Sequence, residues 1–531
     1  MSDQSTPVVI YPKTKVNAEG LNATEVILCT LNAKYIHASL GLRYLHANMG
    51  QLTSFTSIQE YTINLRVSDI AEKLLADNPS IIGLGVYIWN VKQTTELASL
   101  IKTIAPETII IIGGPEVSYE YDSTVIFNTC DYLITGQADF AFRDLCSQLL
   151  DNGVNRALLP KVVNPVTPSV TQLESPYHLY NADDLNNRIL YVEASRGCPF
   201  KCEFCLSALD KTAWPFELSL FLDDMQALYQ RGARQFKFVD RTFNLKVKSC
   251  IAILNFFLDR IDSNLFLHFE VIPDKLPDEL KKVLQKFPPT TLQFEVGIQS
   301  FNPEVQATIS RKQDDTRTIE NLAWLRQYTN AYIHADLIFG LPGETLQSFA
   351  QGFNRLWQLG PQEIQLGILK RLRGTQISRH TDTYQMCYSP DAPYQLVSNR
   401  DIDFQTLQRT HRFARYWDLI ANSGRFKRTL PLILADNPFQ RFWQLSDWIY
   451  VGTGQTHRIS LQRLFKLVND GALKLQLTDP SDLALALHAD FLATGEHNAP
   501  GWLSDQADTA DRNLASVTSH NTRQSRAADT R

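Results

Sequence analysis

Three cysteines fall within eight positions of the stretch EASRGCPFKCEFCLSALDK, residues 193–211: Cys198, Cys202 and Cys205. A zinc site normally closes its tetrahedron with four protein ligands, and C-x3-C-x2-C with no neighbouring fourth Cys or His is one short. Three thiolates suit an iron–sulfur cluster instead. Such a cluster is ordinarily held by four, so a missing thiolate leaves one iron with a position open to another molecule. The bland alternative is three buried or incidental cysteines. The other five, Cys29, Cys130, Cys146, Cys250 and Cys387, lie scattered. That is too sparse for a disulfide framework, so the clustered three need another explanation.

The elements that must position them read as α/β. With 531 residues, 44% hydrophobic and 20% charged, the chain can form three or four domains with ordinary cores. After a polar tail (1–24), residues 25–151 alternate helical patterns with the apolar runs EVILCT, SFTSIQEY, SIIGLGVYIW, TIIIIGG and DYLITG. That βαβ rhythm predicts a parallel sheet covered on both faces, a doubly wound (Rossmann-like) domain whose ligands sit beyond the C-terminal strand ends. Gly113 and Gly114, at one such end, would let a flat ligand approach the backbone closely.

Residues 152–188, with four prolines and no sustained period, read as a surface linker. From 189 to 375 a second series, ILYVEAS, QFKFVD, LFLHFEV, TLQFEVGIQS, AYIHADLIFG and EIQLGIL, predicts six βα units of an open or partial (β/α)6 TIM-like barrel. In the fourth run Leu292, Phe294, Val296 and Ile298 share one face and Gln293, Glu295, Gly297 and Gln299 the other. The polar face should line a lumen that holds a polar ligand. Residues 376–500 read as a mostly helical, aromatic-rich domain, in which Trp417, Trp443 and Trp448 either cap the barrel mouth or form core. Residues 501–531 read as a disordered tail.

A C-x3-C-x2-C motif after the first strand of a (β/α) series, with Phe204 just before the last cysteine, resembles the radical S-adenosylmethionine (SAM) enzymes. The resemblance implies that Cys198, Cys202 and Cys205 hold a [4Fe-4S] cluster whose open iron chelates the amino and carboxyl groups of SAM. It implies reductive cleavage to a 5'-deoxyadenosyl radical, with the Phe204 backbone against adenine and an external donor such as flavodoxin or ferredoxin supplying the electron. Many members carry Gly-Gly-Glu after the second strand to hold the SAM amino group. This chain has FVDRTFN, which makes Asp240 and Arg241 the substitutes. Gln299 and Ser300 in GIQS resemble the fourth-strand residues that reach the ribose, and GLPGET at 340–345 resembles the turn after the fifth strand. Arg311 in ISRKQD could meet the SAM carboxylate or be a solvated charge. Glu270 and Asp336 are either ligand contacts or satisfied polar groups in the barrel.

A doubly wound domain ahead of such a barrel resembles the cobalamin-binding subgroup, in which the corrinoid lies between the two domains. GLGVYIWN (83–90), IIIGGPEVSYE (110–120) and LITGQADFAF (133–142), with Gly113 and Gly114, carry this likeness. TLNAKYIHASLGLRYL (30–45) sits where some cobalamin proteins carry Asp-x-His-x-x-Gly. Here no Asp stands two before His37 and Gly41 is four after it, so His37 reads as hydrogen-bonded near a helix start. Together with the aromatic helical end, the chain resembles cobalamin-binding-domain radical proteins with an uncharacterised C-terminal domain.

These resemblances imply a cobalamin-dependent radical SAM enzyme that most often methylates an unactivated carbon. The rivals are a radical rearrangement or cyclisation, a tRNA methylthiotransferase-like enzyme, and a non-catalytic corrinoid or redox sensor. A net charge of -5 argues against a large nucleic-acid footprint, although a local basic groove stays open. Without a long apolar run or a signal-like start, the expected address is cytoplasmic. The basic stretches LKRLRGTQISRH and RFKRT read as solvated charge or as contacts for an anionic substrate.

Overall fold

The computed structural model describes residues 9–10, 25–151, 153–210, 212–496 and 498–510. Strands β1 (Val9–Ile10), β2 (Val26–Asn32), β3 (Thr56–Thr62), β4 (Ile81–Gly85), β5 (Ile109–Gly113), β6 (Tyr132–Ile134) and β7 (Val162–Val163) form one sheet in the order β1-β3-β2-β4-β5-β6-β7. All pair in parallel except β1, which runs antiparallel on β3. The central strands β4 and β5 carry no polar alternation because both their faces are covered. Ile27, Cys29, Leu31, Ile82, Leu84, Ile110 and Ile112 pack on helices Val67–Leu75 and Val91–Ile104. Val26, Leu28, Ile81, Ile109 and Ile111 pack on helices Leu40–Ala47 and Asp139–Leu150.

The segment expected to be a surface linker is partly built in. Its β7 adds a strand beside β6, and Tyr177, Tyr180, Asp184 and Arg188 are buried. Arg43 of helix Leu40–Ala47 meets Glu60 of β3 at 3.0 Å and Asp184 at 2.9 Å, and Arg188 meets Glu60 at 3.1 Å. Proline and asparagine content had signalled irregular backbone, but paired charges let that backbone be buried.

Next come β8 (Leu190–Val192), a short antiparallel pair β9 (Ser195–Arg196) and β10 (Trp214–Pro215), then β11 (Gln235–Phe238), β12 (Phe266–Val271), β13 (Leu292–Gln299), β14 (Tyr332–Phe339) and β15 (Glu363–Ile368). Six of them form a parallel sheet in the order β15-β14-β13-β12-β11-β8, a partial barrel. Along β13 buried and half-buried residues alternate, with Leu292, Phe294, Val296 and Ile298 in the core against the helices. At the β8 edge a parallel bridge from His37 to Ile189 joins the first domain to the barrel.

A small hairpin, β16 (Cys387–Tyr388) and β17 (Leu396–Ser398), leads into helices Phe404–Trp417, Thr429–Leu434, Pro438–Thr453, Leu461–Lys474 and Pro480–Leu492. Trp417 and Trp443 are core rather than a cap over the barrel mouth. Phe353 and Trp357 of barrel helix Leu346–Leu359 pack edge-on against Trp417, and Trp443 stacks on Phe439. Residues 501–510 are helical, with Leu503, Ala507 and Ala510 buried at helical spacing, where the sequence reading had begun a disordered tail. The rest of that tail, and the N-terminal tail apart from β1, lie outside the described residues. Among the described residues no helix is long and apolar enough to cross a membrane.

Candidate active site

Pairing of β9 with β10 closes a loop that contains all three clustered cysteines. The chain enters it at Gly197, whose φ is +97° and where a Cβ would lie 2.3 Å from the Thr212 carbonyl oxygen, so only glycine fits. Inside, the Cys205 N–H donates to the Cys202 carbonyl at 3.0 Å. Cys198, Cys202 and Cys205 are free thiols that line one cavity of about 260 Å³, together with Phe204, Arg241, Glu270, Gln299, Arg311 and Asp336. Among the described residues no three His, Cys, Asp or Glu side chains converge tightly enough to hold a single metal ion. A cluster takes its thiolates one per iron, so its ligands stand apart around a shared space; three free thiols around one cavity fit it.

Burial pushes the Cys198 and Cys202 thiols up, while Arg311, with Nη1 3.7 Å from Cys202 Sγ, opposes this at Cys202. Arg241 Nη1 lies 2.7 Å from Glu270 Oε1, which raises the guanidinium further. Burial pushes the carboxyls of Glu270 and Asp336 up. It does the same at Glu295, but His268 at 3.1 Å and Lys237 at 3.3 Å outweigh it and bring that carboxyl to about 2. The lumen face of the barrel is thus charged, and its groups are paired. A β-bulge between Gly297 and Gln299, with Gln299 at φ +69°, turns the Gln299 side chain toward the cavity.

Two residues expected at the same ligand do not line this cavity. Asp240 is buried; its carboxylate accepts from the Ala194 N–H at 2.9 Å and from Ser195 Oγ at 2.6 Å, holding the strand end that leads into the cysteine loop. Sequence order had placed it beside Arg241, but neighbours along an extended chain point to opposite sides. Ser300 is buried too and donates to Glu344 at 2.6 Å. Much of the basic stretch LKRLRGTQISRH is used in ion pairs between elements: Arg371 with Glu120, Arg373 with Glu116, and Arg379 and His380 with Glu203.

Beyond the C-terminal ends of β4, β5 and β6 lies a mostly apolar cavity of about 370 Å³, lined by Gly85, Gly113, Gly114 and Gly136. Gly114, at φ +112°, would place a Cβ 2.5 Å from the Val86 carbonyl oxygen, so the turn itself demands glycine. A second space of about 500 Å³ shares Gly41, Tyr44, Tyr87 and Arg196 with it and lies between the domains. His37 and Trp89 wall it on one side, Tyr191, Glu193 and Val239 on the other. A slot between domains joined to an apolar channel under glycine-rich turns fits a flat cofactor with a tail, as a corrinoid is. In the slot His37 Nδ1 lies 2.7 Å from the Tyr191 hydroxyl, and burial, then Lys237 and Lys34, hold its imidazole below the usual range.

Sequence reasoning missed Arg196 and Glu203. Arg196, two before Cys198, bonds Glu193 at 2.7 Å within the barrel and Asp139 at 3.2 Å in the first domain, and stacks on Tyr44. A charged residue flanking a cysteine motif looks solvated, and only burial reveals these roles.

Comparison with known proteins agrees with this architecture. Residues 192–356 match the profile of the Radical SAM superfamily, residues 27–146 that of the B12 binding domain, and residues 382–528 that of a protein of unknown function, DUF4080. An uncharacterized methyltransferase of Pyrococcus horikoshii is 25% identical over 306 residues, 53% of this chain and 65% of that protein. The cobalamin-dependent radical SAM methyltransferase TokK of Streptomyces tokunonensis is 25% identical over 344 residues, 57% of this chain and 49% of that protein. The chain thus spans about half to two thirds of the length of these relatives. The structure of the radical SAM methyltransferase TsrM from Kitasatospora setae, with cobalamin and a [4Fe-4S] cluster bound, superimposes with a TM-score of 0.56 at 14% identity, over 93% of this chain and all of that one. The chain therefore carries a radical SAM domain, preceded by a B12 binding domain and followed by a DUF4080 domain.

Proposed function

We propose that the chain is a cobalamin-dependent radical SAM enzyme that methylates an unactivated carbon. The supporting observation is adjacency: Val239 walls the interdomain slot, and Arg241, two residues on, walls the cavity of the three thiols. Bound there, a [4Fe-4S] cluster would supply the electron that splits the SAM sulfonium, and a methylated corrinoid the methyl group. Cys198, Cys202 and Cys205 hold the cluster. Arg311 and Gln299 present a cation and an amide to SAM. Glu270, paired with Arg241, is the carboxylate that faces the cavity where Asp240 was expected, and it takes the SAM amino group. An external flavodoxin or ferredoxin delivers the electron.

Cys29 and Cys130 lie on one face of the first sheet and Cys146 on the other, so these three do not assemble the second cluster of a methylthiotransferase. The test is anaerobic reconstitution with iron, sulfide and hydroxocobalamin, followed by the visible spectrum and assay of 5'-deoxyadenosine. The expected result is cluster and corrinoid absorbance together, with cleavage abolished in each of Cys198→Ala, Cys202→Ala and Cys205→Ala. A cysteine variant that still cleaves SAM overturns the assignment, and a wild-type protein that binds corrinoid but never yields 5'-deoxyadenosine is a sensor.

A further inference from the structure

Glu203 stands between two of the three clustered cysteines, and its side chain is fully buried. Three donors converge on its carboxylate: Ser310 Oγ, the Arg379 guanidinium and His380 Nε2, the last at 2.7 Å. Its backbone is engaged on both sides as well. The Glu203 N–H donates to the Ile309 carbonyl at 3.1 Å, and its own carbonyl accepts from Ile377 N–H at 2.9 Å. One residue thus joins the cysteine loop, the turn that carries Arg311, and the short helix Gln376–His380 that follows the barrel and leads toward the helical domain.

Placing a carboxylate beside three thiolates is electrostatically unfavourable, and burying it adds a desolvation penalty of several kcal/mol. Both are offset only if its partners hold it in place. An apolar or hydroxyl residue would fill the position without either penalty, so the carboxylate's use is directional: it fixes where Cys202 and Cys205 sit relative to Arg311.

We propose that Glu203, held by Arg379 and His380, is a positioning element of the cluster site, and that the segment leading into the helical domain is part of that site. The inference rests on the cluster reading above. Loss of such an outer partner typically weakens metal retention about 10- to 100-fold. The measurement is the rate at which reconstituted full-length protein loses iron to an anaerobic chelator, with the cluster's midpoint potential recorded alongside. Glu203→Gln, Arg379→Ala and His380→Ala should each lose iron at least about tenfold faster than wild type. His380→Gln, which can still donate a hydrogen bond, should stay near the wild-type rate. Arg379 is half exposed, so its variant tests the idea even if Glu203→Gln fails to fold. Wild-type rates and potentials in Arg379→Ala and His380→Ala would overturn the proposal while leaving the cluster assignment intact; a wild-type protein that takes up no cluster would overturn both.

Discussion

Glu60→Gln tests whether charge fixes the first domain onto the segment that leads into the barrel. The Glu60 carboxylate accepts from Arg43 at 3.0 Å, Arg188 at 3.1 Å and the Asn32 amide at 3.0 Å, and also from the Ser39 N–H. Asp184 supplies the second carboxylate, and none of the four charged side chains is more than 2% exposed. Glutamine keeps the volume and one acceptor oxygen but leaves two guanidiniums facing a single carboxylate. Removing one member of a buried ion network costs about 3–5 kcal/mol. The exposed pair Arg66–Asp69, 2.8 Å apart, is a control in which Arg66→Gln should leave the unfolding midpoint essentially unchanged. In the first domain, residues 25–151, the Glu60 change corresponds to a fall of roughly 10 °C in unfolding temperature. Thermal unfolding of the full chain by circular dichroism, with Arg66→Gln run beside it, reads this directly. The double variant Glu60→Leu with Arg188→Met removes a whole pair and should recover much of the loss, because buried ion pairs replaced by apolar groups are often neutral. A Glu60→Gln midpoint within about 2 °C of wild type would mean the network contributes no more than a surface pair, which refutes the reasoning.

Two other outcomes follow from the same structure. Burial raises the Asp240 carboxyl from 3.8 to about 7. The folded chain therefore keeps a proton that the unfolded chain has lost, so the stabilising contribution of the neutral acid is complete below pH 3.8 and disappears as pH rises to about 7. Asp240→Asn removes that dependence, and between pH 5 and pH 7 the stability difference should move about 2 kcal/mol in favour of the variant, measured by urea unfolding at each pH. A flat difference would mean the carboxylate is ionised in the fold. Gly41 lies within helix Leu40–Ala47 without positive φ, and a Cβ there would sit 3.5 Å from the Tyr87 hydroxyl, an ordinary contact. Gly41→Leu should therefore leave thermal stability unchanged or raise it by up to about 1 kcal/mol through helix propensity. Its side chain fills the junction of the two cavities proposed to take the corrinoid, so cobalamin retained after gel filtration should fall sharply, and full retention would count against that placement.

Both sheets were legible because their signals are local. Ile109–Ile112 can only be a strand covered on both faces, and the alternation through Leu292–Gln299 assigns a core face and a lumen face residue by residue. The cysteine motif stood out in the sequence because no fourth Cys or His neighbours it. Other positions depend on what folds against them. Asp240 follows the second barrel strand as a ligand contact would, yet the Ala194 N–H and Ser195 hydroxyl take its carboxylate. Asp184 and Arg188 look like linker polarity until Arg43 and Glu60, more than a hundred residues earlier, are placed beside them.

The cysteine loop is tied at its start and in its middle to elements outside the loop. Arg196 ties its start to Asp139 of the first domain, and Glu203 ties its middle to Arg379 and His380 beyond the barrel. Both bridges use charged groups within two residues of a cysteine: Glu203 relies on Arg379 and His380 for its charge partners, whereas Arg196 also keeps Glu193 at 2.7 Å within the barrel. A loop so held can keep three thiols apart around a cavity without a fourth ligand, because restraint that a closed metal site would supply comes from the neighbouring elements. At Glu203 an undocked partner would leave a buried charge unpaired, which costs several kcal/mol. Arg196 lines the interdomain slot while standing two residues before Cys198, so one side chain adjoins both the slot and the start of the cysteine loop.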